Sequence, residues 1–224
     1  MKVYVHGNCQ SYVVAKMLGE LYPRWDISYF EIHADPIIRD NEDYRRAVRE
    51  ADIIIAQPVH DGYRERADLS LSWVRAEARP NAVITVFPSM HFSGHHIGIG
   101  ELPLGQSYAY DAVAALMISS GVEPDEACKV ILSESYLSSQ FIESEILHSI
   151  AEIKRREIED KIDIPLSPFL DRTAWSQQEF HIVNHPYRAA YVHVIDGILD
   201  HLGYPDRVPA VGTCWQPLPH IPLG

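Results

Sequence analysis

Apolar residues along this chain fall into two periods, one of strands and one of helices. Val3, Tyr4 and Val5 make a short apolar run that the polar turn His6-Gly7-Asn8 ends. Val14, Met17, Leu18 and Leu21 then recur at helical spacing, which predicts a helix from Ser11 to Leu21. Residues 26–32 (DISYFEI) read as a second strand, and 42–50 as a charged amphipathic helix with Arg45, Arg46 and Arg49 on its exposed face. Residues 52–57 (DIIIAQ) form the purest apolar run, the mark of a strand covered on both faces, and Pro58 stops it. A helix over 69–78 leads to a fourth strand at 82–87 (AVITVF), halted by Pro88. Strand and helix thus alternate four times, which predicts parallel βαβ units with right-handed crossovers.

Beyond residue 88 the pattern changes. Residues 89–105 form a Gly- and His-rich loop, too long for a simple connection and suited to a lid. Helices are predicted over 108–120, 124–132, 139–160 and 186–202, the last opening on Pro186 and ending at Gly203. Residues 164–169 read as a Pro-rich connection. The expected fold class is α/β: an open parallel sheet of about four to five strands flanked by helices, with a mostly helical C-terminal half. The chain reads as a single α/β domain over 1–224, divided into a parallel part (1–105), a helical part (106–204) and a Pro-rich tail (205–224).

Charge narrows the function. The 31 acidic against 19 basic residues give a net charge of -12, which argues against a nucleic-acid binder. A phosphorylated small ligand needs only a local basic pocket and stays open. Cys9, Cys128 and Cys214 are the 3 cysteines, widely spaced, and make neither a disulfide framework nor a CxxC metal pair. A reducing cytoplasm is the expected compartment. The start, MKVYVHGNCQ, lacks a signal-peptide pattern, and no apolar run approaches the roughly 18 residues of a membrane span. The oligomeric state is left open.

Candidate chemistry gathers after strand ends. Cys9 and Gln10 fall where the first strand gives way to the first helix. Ligands of open α/β sheets collect at that edge, and the unpaired N–H groups of a helix start favour an anion. A thiol there is expected to lose its proton easily; a buried structural cysteine is the equal alternative. Gly7 permits the turn and a close ligand approach. Gln57-Pro58 and Phe87-Pro88-Ser89-Met90-His91 also follow strands, so all three motifs are expected to converge. Asn184-His185-Pro186-Tyr187 precedes the last helix, and a cysteine with a distant histidine is the usual thiol-catalysis pairing. Each has a plainer reading: Gln57-Pro58 as a strand stop, Ser89 as a turn residue, His185 as a capping or core histidine. His91, His95 and His96 have metal-ligand spacing, yet no cysteine or placed carboxylate joins them, so no metal is expected. Lys154-Arg155-Arg156 reads as a solvated helix face.

GNCQ after the first strand, QP after a later one, FPS after the next and NHP before a terminal helix resemble the WcbI-type polysaccharide biosynthesis proteins. That family is described as coenzyme A-binding and is assigned to acetyl transfer in bacterial capsule or surface glycan assembly. The resemblance spans Gly7 to about Gly203. It implies an acyltransferase moving acetyl from acetyl-CoA to a sugar or glycan hydroxyl. Cys9 would then be the acyl-accepting nucleophile or a group lining the thioester, and His185 the base. The N–H groups of Cys9 and Gln10, with the Asn8 or Gln57 amide, would hold the oxyanion, with Gly7, Ser89, His91 and Asn184 around the substrate. Arg64, Arg66 and Arg188 are the candidates for the CoA phosphates. The arrangement is also distantly similar to SGNH hydrolases and acyltransferases, with Cys9 standing where their serine would. Their DxxH block requires Asp at position 182, where this chain has Ile182, so His185 lacks a visible acidic partner. The alternatives are a thiol-dependent esterase or deacylase, and a CoA- or glycan-binding protein without chemistry.

Overall fold

The structure, a computed structural model, describes residues 1–33, 42–97, 99–101, 109–133 and 136–209. Cys214, part of the 89–105 loop and the tail beyond Pro209 lie outside the described residues. Four parallel strands form the sheet: β1 (Lys2–Gly7), β2 (Asp26–Glu31), β3 (Ile53–Ala56) and β4 (Val83–Val86), in the order β2-β1-β3-β4. Helices α1 (Cys9–Leu21), α2 (Glu42–Glu50) and α3 (Leu71–Glu77) connect them. The α/β class and the four parallel strands agree with the sequence reading.

Side-chain alternation explains why the two central strands, β1 and β3, are buried on both faces. Val3, Val5, Ile53 and Ile55 pack into one buried cluster with Val14 and Leu18 of α1. Tyr4, Ile54 and Ala56 pack into a second, with Tyr44 and Val48 of α2 and Leu71 and Val74 of α3.

Helices α4 (Ala112–Ser119), α5 (Pro124–Ile131), α6 (Ser139–Glu159), α7 (Ser167–Thr173) and α8 (Arg188–His201) follow, with two small antiparallel hairpins. These are β5 (Ile99–Glu101) with β6 (Ala109–Asp111), and β7 (Phe180–Ile182) with β8 (His185–Pro186). Ile146, Ile150 and Ile153 of α6 join Val194, Ile195, Ile198 and Leu199 of α8 in the α1-side cluster. Each such side chain contributes about 1.5–3 kcal/mol on burial.

Three expectations need correcting. Residues 164–169 are not wholly connection: α7 begins at Ser167, with a proline in its first turn. Its N-terminus is held by the buried Glu157 carboxylate, which accepts from the Leu166 and Ser167 N–H groups at 2.6 and 2.9 Å. The last helix begins at Arg188 rather than Pro186. Pro186 is instead paired with Phe180, and the Tyr187 N–H donates to the Glu179 carbonyl at 2.8 Å, which prolongs the extended segment. The 108–120 helix starts later, at Ala112, because 109–111 pair with β5. The first residues of the tail are a strap: the Val208 N–H donates to Asp196 Oδ1 at 2.9 Å, and the Tyr22 hydroxyl to Asp206 at 2.7 Å.

Candidate functional site

The chain leaves β1 for β2 on one side and returns past β1 to reach β3 on the other. A crevice opens where strand order reverses like this, outside the carboxyl ends of the strands. There the turn after β1 is built by side-chain amides. Asn8 caps α1, its Oδ1 accepting the Gln10 N–H at 2.9 Å. Gln57, just after β3, accepts the Asn8 N–H on Oε1 at 2.9 Å and donates from Nε2 to Gln10 Oε1 at 2.7 Å. Gln10 Oε1 also accepts the Met90 N–H at 3.0 Å. Its Nε2 donates to the carbonyls of Met90 at 2.7 Å and Asn184 at 2.9 Å. One fully buried amide thus ties together all four motifs. Gly7 makes room for this: a Cβ there would lie 2.3 Å from Gln57 Oε1.

These bonds revise the expected roles. Both amide atoms of Gln10 and Gln57 are spent on structure, and the Gln10 N–H serves the cap. The Asn8 side-chain amide keeps only a long 3.4 Å contact to Ser89 Oγ. Among the expected side-chain donors, Asn8 and Ser89 are therefore the ones less committed.

Cys9 is the first residue of α1 and is half-buried. The thiol is not easily deprotonated, contrary to expectation. Burial pushes its pKa up, and the Glu31 carboxylate adds to this; the N–H groups of Cys9 and Gln10 oppose it without winning. Glu31 is there because the register pairs it with Gly7 at the end of the sheet. Tyr191 of α8, also buried, holds its phenol within electrostatic range of Cys9; burial, then Cys9, pushes that phenol far up. His185 is half-buried in β8. Burial, then the nearby His181, lowers its pKa, which keeps the imidazole neutral near pH 7. Cys9 and His185 adjoin the two ends of the Gln10–Asn184 bond. Among the described residues no carboxylate bonds the His185 ring.

The remaining histidines do other work. The His91 carbonyl accepts from Arg156 at 3.2 Å. His95 and His96 reach the carbonyls of Ala174 and Phe180 at 2.8 and 3.1 Å, and the Phe92 N–H donates to Val183 at 2.7 Å. With Met90 and Phe92 fully buried, 90–97 is packed down rather than poised as a lid. Among the described residues no group of three or more His, Cys, Asp or Glu side chains could hold a metal ion.

Of the proposed phosphate-binding arginines, Arg66 is held on both Asp68 oxygens at 2.7 Å. Arg64 lies over the Tyr63 ring, 5.8 Å from its centroid. Arg188 donates to the Pro209 carbonyl at 2.8 Å, while its Nε is buried without a partner. None of the three lines the main cavity of the crevice. That cavity, about 450 Å³, is bounded by Asn8, Gln57, Pro58 and Ser89 at the strand ends and by Arg156, Glu157 and Asp160 of the α6 end. His60, Asp61 and Tyr63 also line it, and Ile32, Val59, Ile153, Ile162 and Leu166 give it an apolar part. The solvated-face reading of Lys154-Arg155-Arg156 holds for Lys154, paired with Asp171, and for Arg155, paired with Glu152 and Glu159, but Arg156 turns into the cavity. Sequence reasoning missed Tyr191, Glu31 and, among the cavity residues, His60, Asp61, Tyr63, Arg156, Glu157 and Asp160. Glu31 alone had a usable signal, since it lies near the carboxyl end of a predicted strand of the same sheet.

A family model described as polysaccharide biosynthesis enzyme WcbI matches residues 2–207. A solved structure of WcbI superposes with a TM-score of 0.75 at 23% identity, covering 91% of this chain and 70% of that one. It is described as a novel polysaccharide biosynthesis enzyme, the native protein without a disulfide bond between coenzyme A and one of its cysteines. No curated protein matches the chain.

Proposed function

This chain belongs to the WcbI family of polysaccharide biosynthesis enzymes, and from that premise we propose that it transfers an acetyl group from acetyl-CoA to a sugar hydroxyl. The solved relative's description couples CoA with a cysteine. Carried to this chain, that role falls to Cys9, at a helix start on the sheet's ligand-binding edge, rather than to Cys128, exposed on α5. The observation that carries the reading is the Gln10–Asn184 bond, which brings the segments of Cys9 and His185 together at that edge.

The protonation states favour direct transfer. Cys9 stays a thiol, because burial and Glu31 oppose the thiolate. His185 stays neutral and can take a proton. In this reading His185 removes the proton of the acceptor hydroxyl as its oxygen attacks the thioester carbonyl. The C–S bond breaks, the CoA thiolate leaves, and the imidazolium returns its proton to that sulfur. Cys9 and Tyr191 border the thioester, and the Cys9 N–H with the Asn8 amide stabilises the developing oxyanion. The arginines fit CoA unequally. Arg66 is bound to Asp68, whereas Arg188 carries an unpartnered buried Nε, so Arg188 is the better phosphate ligand.

The test is acetyl transfer with the Cys9→Ala and His185→Ala enzymes. His185→Ala should lower kcat about 100-fold or more, the ordinary scale of general-base loss. Cys9→Ala should retain most of its turnover. An acetylated Cys9 visible by mass spectrometry after mixing with acetyl-CoA alone, and lost activity in Cys9→Ala, would replace direct transfer with a covalent route. Rapid CoA release with no acceptor, insensitive to added glycans, would instead make the protein a thioesterase.

A further inference from the structure

The 450 Å³ cavity lies at the same sheet edge as Cys9, but Cys9 does not line it. Asn8, the neighbouring residue, does. Its size is in the range of small-molecule sites, roughly 300–1,000 Å³. Its wall carries one guanidinium, Arg156, against the carboxylates of Asp61, Glu157 and Asp160. Arg156 Nε, like that of Arg188, is buried without a hydrogen-bond partner, but the Glu152 carboxylate 3.6 Å away offsets its charge. Glu157 is engaged in holding α7, which uses its oxygens but leaves its charge. A wall of this sign repels phosphates, so it does not suit the most highly charged part of CoA. It suits a polyhydroxylated ligand: Asn8 and Ser89 offer donors and acceptors, His60 and Asp160 a polar pair 3.5 Å apart, and Tyr63 an aromatic surface.

We propose that this cavity is the acceptor subsite, and that its carboxylate wall admits a neutral or amino sugar and turns away an acidic one. Its place in the reaction rests on the transferase reading; its ligand class rests on the wall itself. Asp160 supplies the selection, since its side chain is only 14% exposed and an incoming sugar carboxylate would face it poorly screened.

Saturation-transfer NMR with methyl glucoside, methyl glucosaminide and methyl glucuronide tests this. The first two should bind, and the glucuronide should be weaker by about tenfold, the scale of one partly screened like-charge contact. Asp160→Asn should narrow that gap; Asp160→Ala is the substitute where Asp160→Asn fails to fold. Ser89→Trp, which fills the cavity, should abolish sugar binding and keep the rise in melting temperature that CoA produces. Three equal signals in the unaltered protein would overturn the charge selection, and no signal would overturn the subsite. Loss of the CoA effect in Ser89→Trp, with sugar binding kept, would assign the cavity to CoA and overturn the proposal. Sugar binding as expected in a protein that neither CoA nor acetyl-CoA stabilises would uphold the subsite and remove the transferase reading.

Discussion

Truncating Gln10 to alanine isolates the contribution of one side chain to the assembly of the site. Gln10→Ala removes four hydrogen bonds: two donated to the Met90 and Asn184 carbonyls, two accepted from the Met90 N–H and Gln57 Nε2. All four run from 2.7 to 3.0 Å, around a side chain with no solvent exposure. A buried polar group left unsatisfied costs about 1–3 kcal/mol, and water entering the vacated space recovers part of that. The expected loss is therefore about 3–5 kcal/mol, a large share of the roughly 5–15 kcal/mol that stabilises an ordinary domain. At about 2–4 °C per kcal/mol for a chain of this size, the melting temperature should fall by roughly 6–20 °C. Urea titration is the assay: the midpoint should drop while the slope stays constant. A double-mutant cycle with Gln57→Ala should return a coupling of about 1 kcal/mol or more, because the two amides bond each other. A loss under about 1 kcal/mol with no coupling would refute the claim that this amide joins the four motifs.

Two further predictions concern protons. His6 is fully buried, bonded to the Leu69 carbonyl at 2.9 Å and the Tyr4 hydroxyl at 3.1 Å, and burial lowers its pKa from 6.5 to about 4. Between those values the unfolded chain binds the proton and the folded one does not. Stability should be full above pH 6.5 and decline as pH falls towards 4, by an amount on the order of 3 kcal/mol. Comparing urea midpoints at pH 7.5 and 4.5 should show a smaller drop in His6→Phe than in the unaltered protein; equal drops would clear His6. Glu31→Gln should lower the Cys9 pKa, because the carboxylate helps hold it up, and iodoacetamide should alkylate Cys9 faster near pH 7.5. An unchanged pH–rate curve would mean that burial alone sets the thiol.

The central strands β1 and β3 are legible because residues buried on both faces leave no polar alternation to misread. Residues 52–57 announced β3, and the turns after β1, β3 and β4 announced where the motifs would meet. What escaped depends on contacts between distant segments. Helix α7 is hidden in the sequence because its cap is a carboxylate from α6, although the proline after Ser167 is a local sign of a helix start. The sequence pattern sets His185 at the edge of a helix, yet the residue before a proline favours extended backbone, and β8 is what forms. Position at a helix N-terminus suggested an acidic thiol for Cys9. The strand register, invisible in a linear reading, put Glu31 beside it instead. Arg156 looked like part of a solvated run because its neighbours in sequence are solvated.

The Gln10 amide also bears on the order of events during synthesis. Its partners lie 47, 80 and 174 residues away in the chain. Closing the longest of these loops costs only about 1 kcal/mol more than the shortest, so equilibrium barely notices the difference. A chain emerging from the ribosome N-terminus first must wait for it. The sheet is complete once β4 has emerged and the Gln10 bonds to Gln57 and Met90 once Met90 has, while one Gln10 hydrogen still lacks its acceptor until Asn184 arrives. A nascent or prematurely terminated chain that holds the sheet therefore still has the Cys9 edge open, and only about the last eighth of the described chain closes it.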